Sequence, residues 1–198
     1  METEIELLNA AREMNKEALV KIFDLYAQPL YRYALRLCGD PVLADQIVGD
    51  VFAKLLDQFS SGHGPSAALR SYLYETAYHR VVDEARSSRR TAPLELMDWF
   101  QPASHDGRTS LEDRVMFEQI LHIIQNILTE DQRHVIILRF VESFSLRETA
   151  ALIGKKEDHV RVIQSRAMTK LRKALAYKES GTVVPLSATG EQSKALRI

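Results

Sequence analysis

The chain has 198 residues, of which 45% are hydrophobic, and a formal net charge of −1 at pH 7, which fits one medium domain or two small ones with real cores. A single cysteine, Cys38, excludes an internal disulfide and a multi-cysteine zinc site, and the six histidines lack ligand-like spacing. Since no phosphate-binding glycine loop, nucleophile elbow or paired-carboxylate motif is present either, the sequence predicts no catalytic residues, no metal, no cofactor and no enzymatic activity.

Charge is distributed unevenly along the chain. Residues 1–60 carry a net charge of −4, whereas residues 155–178 carry +6. An acidic front and a basic back indicate two different partners, the basic one suited to phosphate. No apolar run resembles a signal peptide or reaches the ~18 to 20 residues that cross a bilayer, so we expect a cytoplasmic protein without membrane insertion.

The first half of the chain has helical periodicity. Apolar residues at three- and four-residue steps predict an amphipathic helix over 16–38, which Gly39-Asp40-Pro41 ends. A second helix is predicted over 42–59. A third, aromatic early and basic late, is predicted from Ala67 to about Arg90.

The second half begins with a segment that lacks sustained periodicity, residues 91–112, which we interpret as a flexible linker. Helical periodicity resumes over 111–128, and Thr129 and Ser145 can each cap a following helix. The fold is therefore predicted to be all-α, with two small helical domains joined by the linker. The predicted ranges are 1–90 for the N-terminal domain, 91–112 for the linker, 113–178 for the C-terminal domain and 179–198 for a disordered tail.

A helix-turn-helix unit is predicted over residues 146–165. Ala150, Gly154 and Val160 fall at its fifth, ninth and fifteenth places. Two helices that cross steeply need a small residue at their contact and a residue that leaves the first helix with positive φ. The spacing alone also fits an ordinary helical hairpin in a core, but the basic charge that follows favours a DNA-binding unit.

Four segments together resemble the extracytoplasmic-function group of bacterial RNA polymerase sigma factors, within the sigma-70 family, over roughly residues 15–177. The segments are LYRYALRLCGDPVLADQIVGDVFAKLL (30–56), LRSYLYETAYHRVVDEARSSRR (69–90), LTEDQRHVIILRFVESFSLRETAALIG (128–154) and VRVIQSRAMTKLRKAL (160–175). The resemblance implies binding to core RNA polymerase and promoter DNA, with an anti-sigma protein as a further partner.

The resemblance implies that the acidic helix over 42–59 binds the clamp helices of the polymerase largest subunit. Gln46 and Gly49 depart from the family pattern, in which a second acid and a glutamine are common. The expected polymerase-binding residues are Asp45, Asp50, Val51, Phe52 and Leu55.

The third helix resembles the family helix that opens the promoter −10 element, where aromatic rings can stack on separated bases and arginines can hold phosphates. Tyr72, Glu75 and His79 stand where the family commonly has tryptophan, arginine and asparagine. The expected −10 residues are Tyr72, Tyr74, Tyr78, His79, Arg80, Arg86, Arg89 and Arg90.

The last predicted helix resembles the element that reads the promoter −35 sequence in the major groove. Arg161 and Gln164 are the first candidates for base contact. The full set of expected −35 residues is Glu157, His159, Arg161, Gln164, Ser165, Arg166 and Lys170.

Two functions remain open from the sequence. The first is a sigma factor that directs initiation by core polymerase at specific promoters. The alternative is a stand-alone helix-turn-helix regulator whose front domain has lost polymerase binding, an interpretation that Gln46 and Gly49 support.

Overall fold

The structure is a computed structural model that describes residues 3–88 and 124–179. In the first range, four helices form the N-terminal domain: α1 (Glu4–Arg12), α2 (Lys16–Cys38), α3 (Pro41–Ser60) and α4 (Leu69–Ser88). The helices predicted over 16–38 and 42–59 are confirmed, and the third, predicted from Ala67, begins at Leu69 and is described as far as Ser88. Helix α1 was not predicted from the sequence. It begins with a capping box in which Thr3 accepts a hydrogen bond from the Glu6 amide while the Glu6 carboxylate accepts one from the Thr3 amide.

The turn between α2 and α3 is specified by three consecutive residues. Gly39 ends α2 with φ 72°, and its amide donates to the Leu35 carbonyl at 2.9 Å. Asp40 then accepts hydrogen bonds from the Val42 and Leu43 amides at 2.8 and 3.2 Å, which caps α3. The predicted boundary therefore has a direct hydrogen-bonding cause.

The second described range forms the C-terminal domain. After a helical turn over 124–127 come α5 (Glu130–Ile136), a π-helix (Ile137–Val141), α6 (Leu146–Leu152) and α7 (Glu157–Glu179). Every regular element of the two described ranges is helical, as predicted. The linker, most of the helix predicted over 111–128, and the tail beyond Glu179 lie outside the described residues.

The helix-turn-helix contact has the predicted geometry. Ala150 and Val160 are buried between α6 and α7, and Gly154 takes φ 64° in the turn. Lys155, the residue directly after this glycine, pairs with Asp131 at 3.2 Å. The ion pair explains how a charged residue is accommodated next to this turn.

The two domains pack against each other around one continuous cluster of buried side chains. α6 of the C-terminal domain lies against α4 of the N-terminal domain. A smaller cluster joins the turn at 124–127 to α5 and α7. Two domains on a linker were predicted from the sequence, but no local pattern indicated that they share a core.

Two glycines provide a matched test of this backbone geometry. Gly154→Ala should lower the free energy of unfolding by about 1 kcal/mol, because the left-handed conformation penalises a Cβ even though space is open there. Gly49→Ala, in the middle of α3 where no neighbour within residues 3–88 and 124–179 lies within 4 Å of the added Cβ, should raise it by about 1 kcal/mol. Urea unfolding followed by circular dichroism measures both, and shifts of the same sign would contradict the assignment.

Candidate nucleic-acid interface

The acidic face of α3 presents only part of the group predicted to bind polymerase. Asp45 and Asp50 are exposed, as the prediction requires. Val51, Phe52 and Leu55 instead lie in the core, with exposed fractions of 0, 9 and 1%. In this structure the three apolar side chains pack in the core beneath the acidic surface, and their predicted contact with polymerase stays a prediction.

Asp50 connects this face to the helix predicted to bind the −10 element. Its carboxylate accepts a hydrogen bond from Nε of Arg80 at 2.6 Å, and Arg80 Nη1 also donates to Glu84 at 3.2 Å. The hydrogen bond to Asp50 raises the pKa of Arg80. Much of the positive charge of Arg80 is thus balanced within the protein.

The aromatic residues of α4 divide between two environments. Tyr72 is half-buried, whereas Tyr74 and Tyr78 are buried with exposed fractions of 1 and 8%. The Tyr74 ring lies 5.1 Å from that of Tyr33 and 5.0 Å from that of Phe144. In this arrangement Tyr74 and Tyr78 cannot stack on bases, because the C-terminal domain covers them.

The exposed side of α4 carries charges of both signs. His79 is 3.9 Å from Glu75, and Arg86 is 3.9 Å from Asp83. Arg89 and Arg90 lie outside the described residues. The basic end predicted for this helix is therefore described only as far as Arg86.

The recognition helix α7 buries one stripe and exposes the opposite one. Val160, Ile163, Ala167 and Leu171 face the core. The exposed members of the predicted −35 set are Glu157, His159, Arg161, Ser165 and Arg166. Since Val162 is also 45% exposed, an apolar side chain lies among these polar groups.

Two predicted −35 residues are held by the protein itself. Gln164 is half-buried, and its side-chain oxygen accepts a hydrogen bond from Nε of Arg139 at 3.2 Å. Lys170 donates from Nζ to the Ile127 carbonyl at 3.4 Å. Gln164 therefore lies at the flank of the exposed face, where one acceptor position of its amide is already occupied.

The interface between the domains contains functional groups that the sequence analysis did not single out. The Glu142 carboxylate accepts hydrogen bonds from Arg36 Nη1 at 3.1 Å and from the Tyr74 hydroxyl at 2.6 Å, while the Glu142 carbonyl accepts one from Arg70. The Arg70 guanidinium lies 4.0 Å from the Phe144 ring centroid. Since these partners are 68 to 106 residues apart in sequence, no local pattern could have indicated them.

Burial changes the acid–base behaviour of this interface. It raises the pKa of Tyr74, with Glu142 adding to the effect, and it lowers the pKa of Arg36. The side chains of Arg36 and Glu142 are only 11 and 10% exposed. Removing one partner of such a pair leaves a buried charge behind and typically costs about 3 to 5 kcal/mol.

His134 occupies the centre of the same interface. Its Nδ1 lies 3.3 Å from the Tyr33 hydroxyl, its ring lies 4.7 Å from that of Tyr78, and its Nε2 has no hydrogen-bond partner among the residues that the structure describes. Burial lowers the pKa of His134 to about 3. The imidazole is therefore neutral near pH 7.

Metal ligation and membrane insertion find no support in the part of the chain that the structure describes. Within residues 3–88 and 124–179, no group of three or more His, Cys, Asp or Glu side chains could hold a metal ion. Over the same ranges, no helix has the length and apolar character needed to cross a membrane.

Comparisons with known proteins agree with this architecture. The family description "Sigma-70 region 2" matches residues 22–91, and "Sigma-70, region 4" matches residues 126–173, which together cover more than half of the chain. ECF RNA polymerase sigma factor SigX of Bacillus subtilis is 28% identical over 163 residues, which are 80% of this chain and 84% of SigX. ECF RNA polymerase sigma factor BldN of Streptomyces coelicolor is 25% identical over 175 residues, which are 86% of this chain and 65% of BldN.

Two solved structures share the fold. The sigma factor RpoE in complex with the anti-sigma factor NepR from Bartonella quintana superposes with a TM-score of 0.63 at 23% identity, over 79% of this chain and 95% of the other. CnrH in complex with the cytosolic domain of CnrY superposes with a TM-score of 0.65 at 19% identity, over 87 and 97%.

A helix-turn-helix behind a four-helix domain, with both regions matched in order, defines a transcription initiation factor of the sigma-70 type. The chain belongs to the sigma-70 family, in its extracytoplasmic-function group. It directs promoter-specific initiation of transcription.

The buried histidine predicts how stability depends on pH. The pKa of His134 is about 3 in the folded protein, below its ordinary value of 6.5, so the unfolded chain takes up the proton first as the pH falls. Burial of neutral His134 therefore leaves the free energy of unfolding unaffected above about pH 6.5. As the pH falls from there toward 3, the free energy of unfolding decreases by at most ~1.4 kcal/mol per pH unit.

Unfolding free energies of the wild type and His134→Gln, measured between pH 4 and 8, test this expectation. The variant should lose part of the pH dependence, whereas His159→Gln, at an exposed position of α7, should keep it. Parallel curves for the wild type and His134→Gln would contradict the burial of a neutral imidazole.

Proposed function

We propose that the chain divides its function among three helices. α3 binds core RNA polymerase, α4 opens the −10 element, and α7 reads the −35 element. The observation that carries this proposal is the exposed face of α7 behind a helix-turn-helix contact, because a helix supported in this way can enter a major groove.

The polymerase surface that we propose is the exposed side of α3. Asp45 provides negative charge on one side of Gly49 and Ala53, both of which are exposed. On the other side lies Asp50, whose carboxylate is ion-paired with Arg80. A partner helix can approach closely at Gly49, because glycine has no side chain and no described residue lies within 4 Å of the position that a Cβ would take there. Complementary charge on the partner would then accelerate encounter.

The −35 surface that we propose combines base contacts with phosphate contacts. Arg161 Nη1 lies 3.0 Å from Asp158 Oδ1, with side chains 67 and 93% exposed, so the guanidinium is held on the outward face. Val162 and Ser165 extend this face with a methyl surface and a hydroxyl, which suit a thymine methyl and a base edge respectively. Arg166 contacts the phosphate backbone of the DNA.

The −10 function requires the domains to separate. As their names indicate, the −10 and −35 elements lie about 25 base pairs apart, which is roughly 85 Å along B-form DNA. In this structure, by contrast, α6 packs directly against α4. His79, Arg86 and the half-buried Tyr72 are accessible as the protein stands. Tyr74 and Tyr78 join them only after the C-terminal domain has moved away.

We further propose an anti-sigma protein as a partner and the cytoplasm as the site of action. The support is the resemblance to sigma factors, one of which was solved in complex with the anti-sigma factor NepR. In this proposal the chain itself performs no catalysis and acts through the polymerase that it recruits.

Run-off transcription with purified core polymerase tests the role of α3. Asp45→Lys should reduce transcription at least about tenfold, because it reverses a charge on the proposed contact surface. Glu13→Lys, an equal charge reversal at the end of α1, is the matched control and should leave transcription intact. Equal activity of the two variants would contradict the assignment, and no transcript from the wild type would favour a stand-alone regulator.

A binding matrix over single-base variants of the −35 element tests α7. Arg161→Ala should lose about 1 to 3 kcal/mol at one base pair, whereas Arg166→Ala should weaken binding to all sequences alike. A uniform loss for Arg161→Ala would assign it to phosphate contact instead.

A further inference from the structure

The N-terminal domain contains a surface that is largely covered by the C-terminal domain. It consists of Tyr33, Arg36, Arg70, Tyr74 and Tyr78, which we name the covered surface. Two guanidinium groups and three phenol rings are brought together there by α2 and α4. None of the residues predicted from the sequence to bind −10 DNA comes from α2, and neither Arg36 nor Arg70 was among them.

The groups that cover this surface have a particular chemistry. One is an anion, the Glu142 carboxylate, which accepts hydrogen bonds from Arg36 and Tyr74. The other is a planar ring, Phe144, which lies 4.0 Å below the Arg70 guanidinium and 5.0 Å from the Tyr74 ring, nearly edge-on. An oxygen anion and an aromatic ring thus sit two residues apart on one short segment.

Single-stranded nucleic acid presents the same two groups in alternation. Each phosphate offers anionic oxygens that arginine binds, and each base offers a planar face for aromatic or guanidinium stacking. When Glu142 and Phe144 move away, the guanidinium groups and phenol rings of this surface become accessible, and a phosphate and a base can take the places of the carboxylate and the ring.

We propose that the covered surface is a binding site for single-stranded DNA, and that Glu142 and Phe144 occupy it in the closed protein as substitutes for a phosphate and a base. The proposal rests on the proposed −10 function and extends it to Arg36 and Arg70. It gives the closed arrangement a consequence: the free chain binds the separated strand weakly until the C-terminal domain leaves α4.

The fraction of molecules in which the domains are closed determines how far strand binding is weakened. When only a small fraction of molecules is open, the apparent dissociation constant exceeds the intrinsic one by the inverse of that fraction. A substitution that opens the interface therefore strengthens binding without adding any contact to DNA. This signature distinguishes a covering residue from one that contributes to binding.

Fluorescence anisotropy with a labelled oligothymidine strand and the full-length chain tests the proposal. Glu142→Ala should bind the strand at least about threefold more tightly than the wild type, since it frees the covered surface. Glu13→Ala changes the net charge equally, lies at the end of α1 and should show no gain. Small-angle scattering should show a larger radius of gyration for Glu142→Ala, and Glu142→Lys, which sets a cation against Arg36, replaces it if the first variant stays compact.

The double variant Arg70→Ala/Glu142→Ala decides whether the gain belongs to this surface. It should open as Glu142→Ala does but lose the gain in strand affinity, with helical content unchanged by circular dichroism. A gain retained in the double variant, or no gain in an opened single variant, would overturn the proposal. Tighter binding of an acidic, phenylalanine-containing peptide instead of the strand would also overturn it and would assign the surface to a protein partner.

Run-off transcription by the same variants separates this inference from the proposed function. If Glu142→Ala shows no gain in strand affinity while the wild type transcribes with core polymerase, the covered surface is not a strand site and the initiation role stands. If the wild type fails to transcribe but opening still strengthens strand binding, the assignment of the surface survives while the proposed division of labour does not.

Discussion

The carboxylate of Glu142 is the group on which the arrangement of the two domains depends. It has left water for a position between Arg36 and Tyr74, and removing an anion from water is costly unless its oxygens are fully hydrogen-bonded. The neighbouring Arg70 and Phe144 complete the contact by stacking. Because the stabilisation is polar and directional, the interface holds one orientation of the domains and loses its advantage when a single partner is removed.

The backbone around Glu142 is unusual in a way that serves this contact. The residue follows a π-helix, a geometry that is frequent at functional sites. The next residue, Ser143, takes φ 58°, which L-residues other than glycine seldom adopt. Local strain of this kind persists where the surrounding structure fixes it, and here the fixed element is the turn that directs Glu142 and Phe144 toward α4.

The surfaces proposed to bind partners differ in exposure: some are open in the closed protein and one is covered. The face of α7 and the acidic side of α3 are exposed and accessible in the closed protein. The aromatic part of α4 is covered by the domain that carries α7. In the proposed function, partners are therefore engaged at the outer surfaces before the aromatic rings of α4 become available.

The sequence determined the elements whose causes are local. Gly39, Asp40 and Ser145 set helix ends through their own backbone conformation or side-chain hydrogen bonds, and Ala150, Gly154 and Val160 set the helix-turn-helix through steric contact over a few residues. The orientation of Val51, Phe52 and Leu55 was decided by tertiary structure, because an apolar stripe on α3 can face a core or a partner with the same periodicity. Only the tertiary structure could reveal the covered surface, since Arg36, Arg70 and Glu142 are far apart in sequence and meet only when the two domains pack together.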